Sequence, residues 1–129
     1  MADFYKIRDD HFWNRQENNG LILFSDLCCL QCSGSYTIAY VFDGRSFRLS
    51  YCLGKVIKKM KAPDFIRTHQ TFYAGLKHVL RMEKRKDQYK GSFILYPNNV
   101  EIKCLYELEK PFENLWIDYI LRQKLNGGA

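Results

Sequence analysis

The sequence predicts a mostly β domain with one or two short helices, on three observations. Short aromatic and aliphatic runs alternate with turn-forming residues through most of the chain. The apolar spacing switches to a helical period at only two places, near residues 53–60 and 112–120. A length of 129 residues with 47% hydrophobic side chains suits one domain with its own core, taken as 1–129.

The elements follow in order. Residues 11–15 and 21–24 read as short strands separated by Glu17-Asn18-Asn19-Gly20, a turn composition. Residues 27–32 form a third run that stops at Ser33-Gly34-Ser35. Residues 36–42 (YTIAYVF) are β-branched and aromatic, which suits a pleated surface. Asp43-Gly44 then signals a hairpin, since glycine tolerates the positive φ of such turns. The return strand, residues 47–51, alternates apolar and polar positions. Leu53, Val56, Ile57 and Met60 carry helical spacing with lysines opposite, and Pro63 ends that helix. Residues 64–77 read as a less regular stretch. Two strands follow near residues 78–82 and 92–96, joined by a basic loop at 83–91. Pro97-Asn98-Asn99 turns the chain into residues 100–106. A terminal helix spans about residues 111–125, with Pro111 in its first turn and Phe112, Leu115, Trp116, Tyr119 and Ile120 at helical spacing. There is no internal repeat or low-complexity tract.

Charge and cysteines narrow the function classes. The formal net charge is +6, with clusters at Lys55, Lys58, Lys59 and Lys61 and at Arg81, Lys84, Arg85, Lys86 and Lys90. Such clusters either displace counterions from a nucleic-acid backbone or simply face solvent. Cys29 and Cys32 have CxxC spacing, but no second pair follows and no histidine completes a ligand set, so a buried strand is expected there and no metal or cofactor. No run is long enough for a membrane helix and the first residues lack a signal-peptide pattern, so a cytoplasmic protein is expected. A nucleophile elbow, a phosphate-binding GxxxxGK loop, paired carboxylates and HExxH are all absent, so no enzyme is expected.

The order of motifs resembles the LytTR family of DNA-binding domains. The resemblance rests on Ser25-Asp26-Leu27, Ser33-Gly34-Ser35-Tyr36, Asp43-Gly44, Leu53 and the segment Phe65-Ile66-Arg67-Thr68-His69-Gln70-Thr71-Phe72. His11-Phe12-Trp13-Asn14-Arg15 is similar to the opening strand of the family. The likeness spans about residues 10–106. Two stretches depart from the pattern: Tyr73-Ala74-Gly75-Leu76 follows the His motif, and Lys103-Cys104-Leu105-Tyr106 stands where a Ser-Arg pair is usual.

The resemblance implies an elongated stack of small antiparallel β-sheets, a LytTR-like fold whose loops read successive major grooves of double-stranded DNA. It implies a bacterial transcription regulator, in the manner of response-regulator output domains, working as a homodimer on repeated half-sites with a receiver domain outside this chain. The alternative is an interaction module that keeps the fold and has lost base readout. Ser35 and Tyr36 fall where relatives place a base-reading turn, although an aromatic opening a strand can equally pack. Thr37 beside them is a candidate phosphate ligand. Gln70 matches a DNA-directed position, and its amide suits either adenine or a phosphate oxygen. Arg67 offers a planar fork for phosphate. His69 is either a buried, hydrogen-bonded ring or a DNA contact. Lys84, Arg85, Lys86 and Lys90 are phosphate candidates, and the late-strand contact falls to Lys103 or Tyr106. Phe65 and Phe72 are assigned to the core.

Overall fold

The structure, a computed structural model, describes residues 5–14, 20–85 and 90–126. Its centre is an antiparallel five-stranded sheet. The strands are β4 (Leu27–Ser33), β5 (Tyr36–Val41), β6 (Ser46–Leu49), β7 (Phe65–His69) and β8 (Phe72–Gly75), in the order β6-β5-β4-β8-β7. A small sheet of β1 (Lys6–Ile7), β2 (His11–Trp13) and β3 (Leu21–Leu23) contributes to the core on one face. A second small sheet of β9 (Arg81–Lys84), β10 (Ser92–Leu95) and β11 (Glu101–Cys104), in the order β11-β10-β9, contributes to the core on the other. Helix α1 (Leu53–Met60) joins the first layer and α2 (Glu109–Leu125) the second. The mostly β stack of small antiparallel sheets is therefore the architecture present. No described helix is long and apolar enough to cross a membrane.

Two cores arise because the central sheet is covered on both faces, and alternation along each strand divides its side chains between them. Leu30 and Tyr73 join Phe12, Ile22, Leu49, Val56 and Met60 on one side. Ala74 joins Ile94, Tyr96, Ile102, Phe112 and Tyr119 on the other. The ladder of β4 shifts register between Leu27 and Cys29. This irregularity sends both Cys28 and Cys29 to the second core, while Cys32 packs against the first. The CxxC pair is divided between opposite faces by ordinary strand alternation, since Cys29 and Cys32 are three residues apart. Burial pushes the Cys28 thiol up to about 11 and that of Cys104 up to about 12, so both stay protonated.

Gly75 sits at a tight approach of β8 to β4 and β7. A Cβ there would lie 2.6 Å from the Cys28 carbonyl oxygen and 3.0 Å from the Phe65 ring. The Tyr96 hydroxyl donates to the Gly75 carbonyl at 2.8 Å, tying the second small sheet to the centre.

Three elements differ from the sequence expectation. Residues 64–77 hold the β7–β8 hairpin and not an irregular stretch. Phe65 packs toward one core and Ile66 toward the other, so a strand covered on both faces shows no polar alternation to detect. The strand expected at residues 78–82 begins at Arg81. His78 instead stacks on Phe42 at 5.0 Å and meets the Ser25 carbonyl through Nε2 at 2.8 Å. The last strand stops at Cys104, and Tyr106 opens a short 3-10 turn leading into α2.

Helix α1 buries Leu53, Val56 and Met60 and ends where Lys61 turns left-handed at φ 49°. Helix α2 buries Phe112 and Tyr119 and leaves Ile117, Leu121 and Leu125 exposed.

Candidate nucleic-acid interface

Strand pairing gathers most of the sequence candidates at one end of the stack. Ser33 pairs with Tyr36 across a two-residue turn in which Gly34 takes φ +63°. Beside this turn the Cys32 amide donates to the Thr71 carbonyl at 2.8 Å, which brings in the Gln70–Thr71 tip of the β7–β8 hairpin. Thr68, next to that tip, donates its hydroxyl to the Lys103 carbonyl at 3.0 Å, and its carbonyl accepts from the Leu105 amide at 2.9 Å. Cys104 pairs with Ser92, and Ser92 with Lys84, so the ends of β9 and β11 and the start of β10 complete the row. An unbroken line of hydrogen bonds thus runs from the Ser35–Tyr36 turn past Gln70 to Lys103 and Lys84, with Tyr106 and Lys90 beside its far end.

Gln70 is exposed at the hairpin tip, and its backbone is held from below. Arg67 directs Nε to the His69 carbonyl at 3.3 Å and Nη2 to the Gln70 carbonyl at 2.5 Å. Arg67 therefore shapes the tip and also brings positive charge to it. His69 is half-buried, and its Nδ1 faces the amide and hydroxyl of Thr71 at 3.2 and 3.0 Å. Desolvation, with help from the nearby Lys103 charge, holds its pKa below the ordinary value. At neutral pH the ring is neutral, so Nδ1 accepts from the Thr71 amide.

Tyr36 is 36% exposed, and the Arg48 guanidinium lies 4.7 Å from its ring centroid. The hydroxyl sits on a ring already stacked against a cation, a rigid mount for a hydrogen-bonding group. Tyr106 is 62% exposed, and the Lys84 ammonium lies 5.7 Å from its ring centroid. Ser35, Lys90 and Lys103 are exposed along the same row.

Two candidates are corrected by their surroundings. Thr37 is fully buried, and its hydroxyl donates to the Tyr51 carbonyl at 2.8 Å, so it is turned away from any phosphate. Arg85 folds back over the Phe93 ring at 4.3 Å and grips Glu101 through both terminal nitrogens, at 3.1 and 2.6 Å. Its Nε also donates to Glu83 at 2.7 Å, so its donors are spent on the outer face of the second small sheet. Lys84 is partly engaged by Glu109 at 3.3 Å. Lys86 lies outside the described residues.

Sequence reasoning missed Arg48 and Tyr51. Arg48 occupies a polar position of the alternating return strand, and only its diagonal relation to Tyr36 across the sheet reveals its place. Tyr51 reads as the last residue of a strand. In the fold it lies beneath Lys55 and Lys59, whose ammonium groups sit 4.9 and 5.7 Å from its ring centroid.

Among the described residues no group of three potential metal ligands comes together. No protein-family model and no curated protein sequence matches the chain. Among solved structures it is similar to a LytTr DNA-binding domain of a response regulator from Bacillus cereus. The TM-score is 0.60 at 17% identity, over 77% of this chain and 90% of that one. With its small antiparallel sheets stacked as in that domain, this chain has the LytTR-type fold.

Proposed function

We propose that this chain binds double-stranded DNA in a sequence-dependent manner through the end of the stack that carries Tyr36, Gln70 and Lys103, as a transcription regulator. The observation that carries this reading is the hydrogen-bonded row itself. Four sequence-distant segments present exposed hydrogen-bonding side chains and cations at one end of a stiff sheet. Loops fixed by a rigid scaffold are how β proteins reach base edges without a recognition helix. The solved domain of similar fold is described as DNA-binding, which favours the same partner here.

Within this reading the roles divide by chemistry. Gln70, projecting from a clasped tip, has the amide that pairs with adenine or bonds a phosphate. Tyr36 supplies a hydroxyl on a fixed ring, and Ser35 a small one beside it. Arg67, Lys90 and Lys103 supply charge that neutralises phosphates, and Tyr106 an exposed ring and hydroxyl at the far end of the row. His69 acts by holding the tip, because its ring nitrogen is engaged with Thr71. One observation favours the alternative, an interaction module: α2 exposes Ile117, Leu121 and Leu125 on one stripe.

Fluorescence titration of labelled duplexes separates these roles. Gln70→Ala and Tyr36→Phe should reduce the preference for a selected duplex over a random one by about tenfold, the effect of removing one good base-reading hydrogen bond. Lys103→Gln should weaken both duplexes alike. Equal losses on both duplexes for all three variants would refute base readout, and a folded protein binding neither duplex would favour the interaction module.

A further inference from the structure

Helix α1 carries a second positively charged surface beside the candidate interface. Tyr51 precedes the helix, and its carbonyl accepts the buried Thr37 hydroxyl, one residue from Tyr36. That bond fixes the start of α1 against the same end of the sheet as the reading turn. Lys55 and Lys59 follow one helical turn apart, both exposed and both over the Tyr51 ring. Neither makes an ion pair among the described residues. By contrast Arg45, Arg81, Arg85 and Arg122 are all engaged by carboxylates. An ammonium held over a ring stays charged and keeps N–H donors available, whereas one held by a carboxylate is already neutralised locally.

Gly54 adds an independent observation. At helical spacing it shares the outer face with Tyr51, Lys55, Lys58 and Lys59, and the opposite face is buried. A Cβ at Gly54 would meet no atom within 4 Å, and the residue has no positive φ. Nothing inside the fold requires a glycine here, and glycine is a poor helix residue. A bare backbone beside two lysines gives a phosphate strand room to lie close.

We infer that the outer face of α1, formed by Lys55, Lys59 and the open surface at Gly54 over Tyr51, is a phosphate-backbone clamp that extends the DNA footprint beyond the reading loops. It rests on the proposed DNA-binding reading and adds to it a sequence-independent contact. Lys55 and Lys59 lie on one face about 6 Å apart along the helix axis, and so can engage successive points on one strand. The clamp contributes affinity and salt dependence and no base preference.

The test uses the full chain and a labelled duplex of about 20 base pairs of random sequence. Its dissociation constant is measured across a salt series. Lys55→Gln with Lys59→Gln should flatten the log–log salt slope by about 1.8, roughly 0.9 for each phosphate that is no longer neutralised. Lys77→Gln with Lys124→Gln, exposed lysines away from the outer face of α1, should leave the slope near that of the unaltered protein. Gly54→Leu should weaken binding several-fold while the thermal midpoint holds or rises, a result that loss of structure cannot produce. An unchanged slope for the α1 double variant, in a protein that still binds and still loses preference with Gln70→Ala, would overturn the clamp alone. An equal effect from the Lys77 and Lys124 pair would also overturn it, since diffuse charge would then suffice. Failure of the unaltered protein to bind any duplex would overturn the functional reading and the clamp together.

Discussion

The two ends of the stack use similar side chains to opposite purposes. At the end holding the Asp43-Gly44 turn, groups are tied to one another. Arg45 is bound to Asp43 at 2.8 Å, Asn98 donates to the Phe42 carbonyl at 2.8 Å, and His78 stacks on Phe42. At the end holding Gly34 and Gln70, Arg48 lies on Tyr36 and Lys55 and Lys59 lie on Tyr51, while Lys84 beside Tyr106 is also held by Glu109. The groups named at the first end satisfy one another, whereas Lys55 and Lys59 at the second keep their positive charge facing outward. A net charge of +6 does not by itself distinguish a binding surface from a solvated one. The manner in which each cation is held does.

Substitutions can break or sharpen that contrast. The largest stability effect is expected from Gly75→Ala, because its Cβ would press into the Cys28 carbonyl, a main-chain group that cannot swing aside. Overpacking of this kind costs about 2–3 kcal/mol, read as a lower urea midpoint, while duplex affinity of the folded protein is retained. Thr37→Val should cost about 1 kcal/mol by leaving the Tyr51 carbonyl without its donor. It should leave the number of phosphates neutralised unchanged, and a flattened salt slope would restore the phosphate role that its burial argues against.

The smallest effect is a pH dependence at His69. Its folded pKa lies below the ordinary value of 6.5, so the neutral ring is the form that stabilises the fold. That contribution is complete above the unfolded value and is lost as the pH falls through the folded one. The stability difference between the unaltered protein and His69→Gln should therefore narrow as the pH is lowered from 7 toward 5. A difference that widened would show that the ring is held in its charged form.

Much of this arrangement was legible in the residues. The β4–β5 and β5–β6 hairpins were announced by Gly34 and by Asp43-Gly44, which take φ values of +63° and +98° at Gly34 and Gly44. Helix α1 was marked by its apolar spacing and stopped where expected. The β7–β8 hairpin was not legible by periodicity, because both its faces are covered and its chemistry looks irregular along the chain. Family likeness found its tip where alternation failed. Exposed candidates such as Gln70 and Tyr106 could be proposed from the family likeness, but the burial of Thr37 and the capture of Arg85 could not. Those depend on partners 14 and 16 residues away. The pairing of Arg48 with Tyr36 was invisible for the same reason: it is a diagonal contact set by register.

Selection of bound fragments from a pool of random-sequence duplexes is the most direct test of the account. The unaltered protein should enrich a defined motif, Gln70→Ala should blur that motif at particular base pairs, and Arg45→Gln at the opposite end should reproduce it unchanged. Recovery of no motif by a folded protein, or loss of the motif on altering Arg45 but not Gln70, would contradict the assignment of DNA reading to this end of the stack.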